Sequence, residues 1–130
     1  MQSYWALAAK KANNEKSVMH SIANIFRAAS MFLTNKENYV ADNGDYKGTV
    51  INSSNMLWSL SGNIAMVHKI LFGIEYKANG LMINPFVPKA LKGKRSLTNY
   101  SYRNAIIDLE VYGYGSKIRR ILKDGKPIHT

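Results

Sequence analysis

Apolar positions recur at spacings of three and four through the first half of the chain, then switch to alternation. Val18, Ile22, Ile25, Phe26, Ala29 and Leu33 form one stripe along a predicted helix. Asn13 and Asn14 before it offer a break and an N-cap, Glu15 suits the first turn, and Asn35 can end it. Upstream, Ser3 can cap a shorter helix reaching Lys10, with Tyr4, Trp5, Leu7 and Ala8 as its apolar content. Downstream, Met56, Leu57, Leu60, Ile64, Val67, Leu71 and Phe72 predict the buried face of a third helix, capped by Ser53 or Ser54 and terminated by Gly73. Gly62 in its middle costs roughly 1 kcal/mol against Ala, and a closely packed neighbour is one reason to accept that cost.

After Gly80 the period becomes two. Leu81 to Pro85 predicts a short strand, and Pro85 and Pro88 keep the next stretch out of regular structure. Leu97 to Arg103 predicts a strand with Thr98, Tyr100 and Tyr102 on one face and Leu97, Asn99 and Ser101 on the other. Ala105 to Tyr112 alternates so that Ile107, Leu109 and Val111 share a face. Gly113-Tyr114-Gly115 reads as a turn, Ile118 to Leu122 as a strand, and Asp124-Gly125 as a hairpin turn. Helices followed by strands predict an α+β chain. Residues 35–55 have no period and are rich in Asn, Asp, Gly, Ser and Thr; a loop of this length is often functional. The helices and the strands read as two half-cores, each needing more chain to close.

Composition narrows the classes. A hydrophobic content of 46% excludes a disordered chain, and the absence of cysteine excludes a disulfide scaffold. No apolar run approaches the roughly 20 residues of a spanning helix, so no membrane partner is predicted. No basic segment followed by an apolar stretch opens the chain, which predicts no signal peptide.

Charge adds a second function class. The formal charge is +10, and on a small domain such a value points to a polyanion. Residues 1–80 hold eight Lys+Arg against five Asp+Glu, whereas residues 81–130 hold ten against three. The excess includes Lys89, Lys92, Lys94, Arg95, Arg103, Lys117, Arg119, Arg120, Lys123 and Lys126. With Tyr100, Tyr102, Tyr112 and Tyr114 as stacking aromatics, this admits a small basic nucleic-acid-binding module. The basic residues are scattered over several turns and strands without an RNP, KH or zinc-knuckle signature. They therefore read first as the solvated face of a sheet whose aromatics pair across strands. His20, His68 and His129 lack paired ligand spacing, so no metal site is predicted, and His68 reads as a partly buried polar residue. No Gly-rich phosphate loop and no Ser-His-Asp arrangement is present, and no cofactor is predicted.

Three runs carry a more specific signal: Thr34-Asn35-Lys36-Glu37-Asn38-Tyr39, Gly44-Asp45-Tyr46-Lys47-Gly48-Thr49, and the run from Asn52 through Met56-Leu57-Trp58-Ser59 to Gly62-Asn63. With Leu71-Phe72-Gly73-Ile74, Asn79-Gly80-Leu81, Asn84-Pro85-Phe86-Val87-Pro88, the strand from Leu97 to Ala105, and Asp124-Gly125-Lys126-Pro127, the ordered set resembles the C-terminal end of an α/α toroid (six-hairpin) glycoside hydrolase. Trehalase-like, glucosidase I-like and glycogen-debranching-like bacterial proteins are similar in this way, over about residues 4–127. The resemblance implies that residues 1–76 are the last helices of a toroid and residues 77–130 a partial antiparallel β-sandwich. It further implies a C-terminal portion of a longer enzyme, with Met1 a start inside the toroid, inactive alone because the upstream Asp acid has no counterpart here. Inverting hydrolysis needs an acid and a base roughly 6.5–9.5 Å apart. By the match of Glu37-Asn38-Tyr39 to a Glu-x-Tyr segment, Glu37 is the implied general base. Val40-Ala41 follows where the family often has Asp or Asn-Pro. Trp58 is implied as a sugar-stacking or packing aromatic.

The residues themselves offer structural roles as well. Glu37 is also read as a surface carboxylate at a helix end, and Asp45, a rival carboxylate, as a turn residue beside Gly44. Asn52 and Asn55 are candidates to bind sugar hydroxyls but read first as helix caps, and Trp58 reads first as a buried core residue. The partner implied is carbohydrate, in the parent enzyme; nucleic acid is the alternative, and self-association through the exposed half-cores a third possibility. Localisation stays open, although the resemblance implies periplasmic or extracellular kin.

Overall fold

The structure, a computed structural model, describes residues 2–40 and 42–128. The readings of Met1 as an internal start, of Ala41 as a departure from the family pattern and of His129 fall outside the described residues. Three α-helices come first: α1 (Gln2–Lys11), α2 (Glu15–Phe32) and α3 (Leu57–Met66). A π-helical turn, Val67–Leu71, extends α3. The strands are β1 (Ile74–Lys77), β2 (Gly80–Ile83), β3 (Gly93–Tyr102), β4 (Ala105–Gly113), β5 (Ile121–Lys123) and β6 (Lys126–Ile128), with a 3-10 turn at Lys89–Leu91. The chain is α+β, as its change of period predicts.

Helix α2 starts where the sequence places it. The Asn14 side chain accepts a hydrogen bond from the Ser17 backbone N–H at 3.0 Å, and Glu15 opens the first turn. The predicted stripe is buried in the first half of the helix, at Val18 and Ile22, but Phe26 and Leu33 reach solvent. The helix stops at Phe32, short of Asn35, because Leu33 turns into the left-handed region. Helix α1 begins at Gln2, so Ser3 lies inside it and does not cap it.

The third helix departs most from its pattern. It begins at Leu57, and neither Ser53 nor Ser54 caps it; Met56 precedes it with no side-chain cap bond. Its buried face matches the predicted stripe only at the far end, where Leu71 packs on the core and Phe72 is buried. Leu57 is 79% exposed and Ile64 48%, while Met66 and Ile70 are fully buried. The cause lies in how α3 meets α1. A Cβ at Gly62 would stand 2.6 Å from the Ser3 Oγ, so the helices cross at Gly62. Met66 and Ile70 follow at four-residue steps on that same face. Close approach of Ser3 is the compensation that the mid-helix glycine called for.

One core cluster joins the elements: Ala6, Ala9, Val18, Ile22, Met66, Ile70 and Phe86, with Leu7, Ile25, Leu71 and Leu91 packed against it. Phe86 enters from the proline-bounded segment, and its N–H donates to the Ile70 carbonyl at 2.8 Å. Lys10 ties α1 to the π-helical turn, its Nζ donating to the Lys69 carbonyl at 2.8 Å and pairing with Glu75 at 3.5 Å. Burial holds the Lys10 ammonium below its ordinary pKa, against the opposing charge of Glu75.

The strands form three separate two-stranded antiparallel sheets, β1–β2, β3–β4 and β5–β6. Strand β1 is absent from the sequence reading, although Asn79-Gly80 is a hairpin signal that could have found it. A bulge between Leu97 and Tyr100, with Asn99 at φ 56°, shifts the face of β3. Leu97 therefore lies half-buried with Tyr100 and Tyr102, and Thr98 is exposed. In β4, Ile107, Leu109 and Val111 share the half-buried face as their alternation predicts. Strand β5 starts at Ile121 rather than Ile118, and Asp124-Gly125 makes the final turn with φ of 51° and 75°. Gly115 pairs with Val87, N–H to carbonyl in both directions at 3.0 and 2.7 Å, tying the chain after β4 to the proline-bounded segment.

Candidate functional site

Among its described residues the segment between α2 and α3 has no regular secondary structure, yet side-chain hydrogen bonds hold it together. Asn52 is their hub. Its Oδ1 accepts from the Glu37 N–H at 3.2 Å and the Asn38 N–H at 3.4 Å. Its Nδ2 donates to the Asn38 carbonyl at 2.9 Å, the Thr49 Oγ1 at 2.8 Å and the Tyr46 carbonyl at 3.3 Å. The Asn52 amide is thereby engaged inside the loop on both its donor and acceptor sides. The Glu37 N–H is also shared with the Ser53 carbonyl at 3.1 Å. Asn38 closes the same rung by donating from Nδ2 to the Ile51 carbonyl at 3.0 Å.

The loop is fastened to both helices. The Met56 N–H donates to the Asn35 carbonyl at 2.9 Å, and Asn63 of α3 reaches the Asn35 side chain. Ser59, in the first turn of α3, donates to the Lys36 carbonyl at 3.2 Å. Beneath the loop, Phe32 stacks on Tyr39 at 6.0 Å and meets Tyr46 edge-on at 4.9 Å, with Lys36 4.2 Å above the Tyr46 ring. Asn55 takes φ 56° and its Oδ1 accepts from Thr34 at 2.9 Å, so it is a loop clasp and not a helix cap.

Glu37 and Trp58 are therefore brought to the same end of α3, through the Lys36–Ser59 contact. Glu37 is half-buried, and among the described residues no ion pair engages its carboxylate. Trp58 is 71% exposed, so it is not a core residue. Asp45 accepts from the Lys47 N–H at 3.0 Å, the turn role read from Gly44-Asp45. The residues that sequence reasoning missed are the pins, Asn38 and Thr49, and the aromatic base of Phe32, Tyr39 and Tyr46. Only the density of Asn and aromatic residues in the loop hints at them.

Replacing Asn52 by Ala is expected to cost about 1–3 kcal/mol in local stability, because several hydrogen bonds lose their partner at once. Amide hydrogen exchange should quicken at Glu37 and Asn38 while the α1–α2 core keeps its protection. An unchanged exchange rate at the Glu37 amide would refute the hub role.

A second cluster gathers where the π-helical turn meets β1 and β3. His68 meets the Tyr100 ring edge-on at 5.4 Å, Tyr76 stacks on Tyr102 at 6.0 Å, and the Tyr76 and Tyr100 hydroxyls hydrogen-bond each other. Arg103 lies 5.3 Å over Tyr102 and donates to the Ala78 carbonyl at 3.1 Å. The bond from Tyr76, with burial, pushes the Tyr100 pKa up to about 12. A folded pKa above the unfolded value of about 10 means that stability is intact below that value. It is then lost as pH rises through the folded value. In Tyr76→Phe, Tyr100 should ionise nearer its ordinary pH and this alkaline loss should shrink, as read by ultraviolet phenolate titration alongside thermal melts. Identical titration curves for the two proteins would contradict this.

Three of the C-terminal cations have partners within the chain, Arg95 half-buried and Lys94 and Arg103 at the surface. Lys94 pairs with Glu110 at 2.5 Å, Arg95 donates to the Leu91 carbonyl, and Arg103 is engaged as above. Among the described residues no group of three or more His, Asp or Glu side chains could hold a metal ion, and no helix is long and apolar enough to cross a membrane. Comparison with protein families, with curated proteins and with solved structures finds no match to this chain.

Proposed function

We propose that this chain contributes the late carboxylate and the C-terminal layers of a glycoside hydrolase that cleaves oligo- or polysaccharide by acid/base chemistry. In this reading α1 to α3 are the last helices of an α/α toroid and the three hairpins part of a β-sandwich. The observation that carries it is that a loop fixed by Asn52 brings Glu37 to the end of α3 where Trp58 stands 71% exposed. A carboxylate on a fixed loop at the same end of a helix as an exposed indole suits a sugar ring stacked on the indole. Glu37 would then take a proton from the attacking water. The acid that protonates the leaving oxygen comes from elsewhere in the parent enzyme. The outward stripe of α3, with Leu57 and Ile64 in water, supports a further layer of protein over this face.

The nucleic-acid reading is less favoured, because Lys94, Arg95 and Arg103 are engaged within the fold and the other cations are spread over several turns. The test uses Trp58 as the reporter. In a Trp5→Phe background, malto-oligosaccharide should change the emission of Trp58 saturably, and Glu37→Gln should keep that response. The chain alone should not hydrolyse trehalose or α-glucosides. A silent Trp58, or turnover at enzyme-like rates by the chain alone, would defeat the proposal.

A further inference from the structure

A groove of about 550 Å³ runs between α1 and α2, and none of its lining residues belongs to the loop that carries Glu37. Its position follows from the helical hairpin. Trp5 and Ser21 lie eight residues to either side of Asn13, where the chain turns, so they meet at the same height. Trp5 and Tyr4 line it from α1, with Gln2 beside them; His20, Ser21 and Asn24 line it from α2. Ser21 is buried at its floor, and its small side chain leaves the space open. Trp5 stays 64% exposed and Tyr4 77% exposed, although each carries a large apolar surface.

The lining chemistry selects a ligand class. On a chain of net charge +10, no Lys, Arg, Asp or Glu lines this groove among the described residues. An anion would find no cation there. An acyl chain would gain nothing from the two amides, the imidazole and the phenol, which stand exposed along the groove. A neutral ring with one C–H face and hydroxyls around its rim uses both kinds of surface. The groove is open, with every lining residue but Ser21 exposed, so a ring would lie along it with its other face in water.

We propose that this groove binds a neutral oligosaccharide, with Trp5 stacked on the C–H face of a sugar ring and Gln2, His20 and Asn24 bonding its hydroxyls. The site is separate from the Glu37 loop and does not depend on the hydrolase reading. It would hold carbohydrate whether or not Glu37 is a base.

The chain has two tryptophans, so Trp58→Phe leaves Trp5 as the sole indole. Titrating that variant with maltohexaose, cellohexaose and xylohexaose should give a saturable change in emission with at least one of them. Calorimetry on the otherwise native chain should show affinity lowered at least tenfold by Trp5→Ala, and severalfold by Asn24→Ala. Both residues are exposed, so far-UV circular dichroism should be unchanged. No response to any hexaose, a tighter response to adenosine monophosphate, or hexaose binding untouched by Trp5→Ala would overturn the assignment. A response from Trp5 with Trp58 silent supports this site while defeating the Glu37–Trp58 reading; the reverse pattern does the opposite.

Discussion

Gly73→Ala is expected to cost about 3–5 kcal/mol, at the severe end of the range for single substitutions. Gly73 follows the π-helical turn at φ 67°, a left-handed conformation that costs an L-residue roughly 1–2 kcal/mol. The larger part is steric. A Cβ there would stand 2.0 Å from the Asn84 carbonyl carbon and oxygen and 2.2 Å from the Pro85 nitrogen. Those atoms are backbone, and they cannot move freely. Asn84 is held by its N–H bond to the Gly73 carbonyl at 2.8 Å, and Phe86, two residues on, is buried in the core. Relieving the clash would pry the β1–β2 hairpin from the helical cluster. Gly80→Ala is the control, because open space surrounds that position and its φ is not in the left-handed region. Urea denaturation of both variants decides the matter: comparable midpoints would disprove the close approach at Gly73.

Met66→Ala is expected to cost about 2–5 kcal/mol, as large-to-small changes in a packed core do. Met66 is fully buried, and its neighbours Ala6, Val18, Ile22 and Phe86 come from α1, α2 and the segment after β2. These elements are tied together by other contacts, so the cavity cannot collapse easily. Ile64, two residues earlier, is an equally apolar residue that the helical spacing places on the buried face. Its exposure of 48% predicts a loss below about 1 kcal/mol for Ile64→Ala in the isolated chain. The contrast between the two variants tests which face of α3 is inside. If a further layer of protein covers the Leu57–Ile64 stripe, as the hydrolase proposal requires, Ile64→Ala would weaken that association while sparing the chain itself.

The candidate site was legible in the sequence as a place rather than as a mechanism. The absence of period over 35–55 marked the loop, and the Glu37 and Trp58 runs marked its two ends. The role of Asn52 as hub was not legible, because its partners at Glu37, Asn38, Tyr46 and Thr49 lie at separations that no local period encodes. Asp45 sits in the turn that its neighbour Gly44 suggested. The sequence reads Trp58 first as core, and it lies one helical turn before Gly62; that it is 71% exposed is decided by the tertiary structure.

By itself the sequence determined the change from helix to strand, the Asn14 cap of α2, the Asp124-Gly125 turn and the alternation of β4. Each of these depends on residues within one or two turns of one another, where backbone sterics and hydrogen bonds act locally. Tertiary structure alone decided which face of α3 is buried, that Leu97 joins Tyr100 across a bulge, and that the Glu37 backbone is held by Asn52. Those outcomes depend on what approaches from elsewhere in the chain: a serine on α1 against Gly62, an aspartate on β4 beneath Asn99, an asparagine fourteen or fifteen residues downstream of the loop's first rung. The period of a helix shows that an apolar stripe exists, but burial depends on a partner surface, and the approach at Gly62 turned Met66 and Ile70 inward and left Leu57 and Ile64 in water.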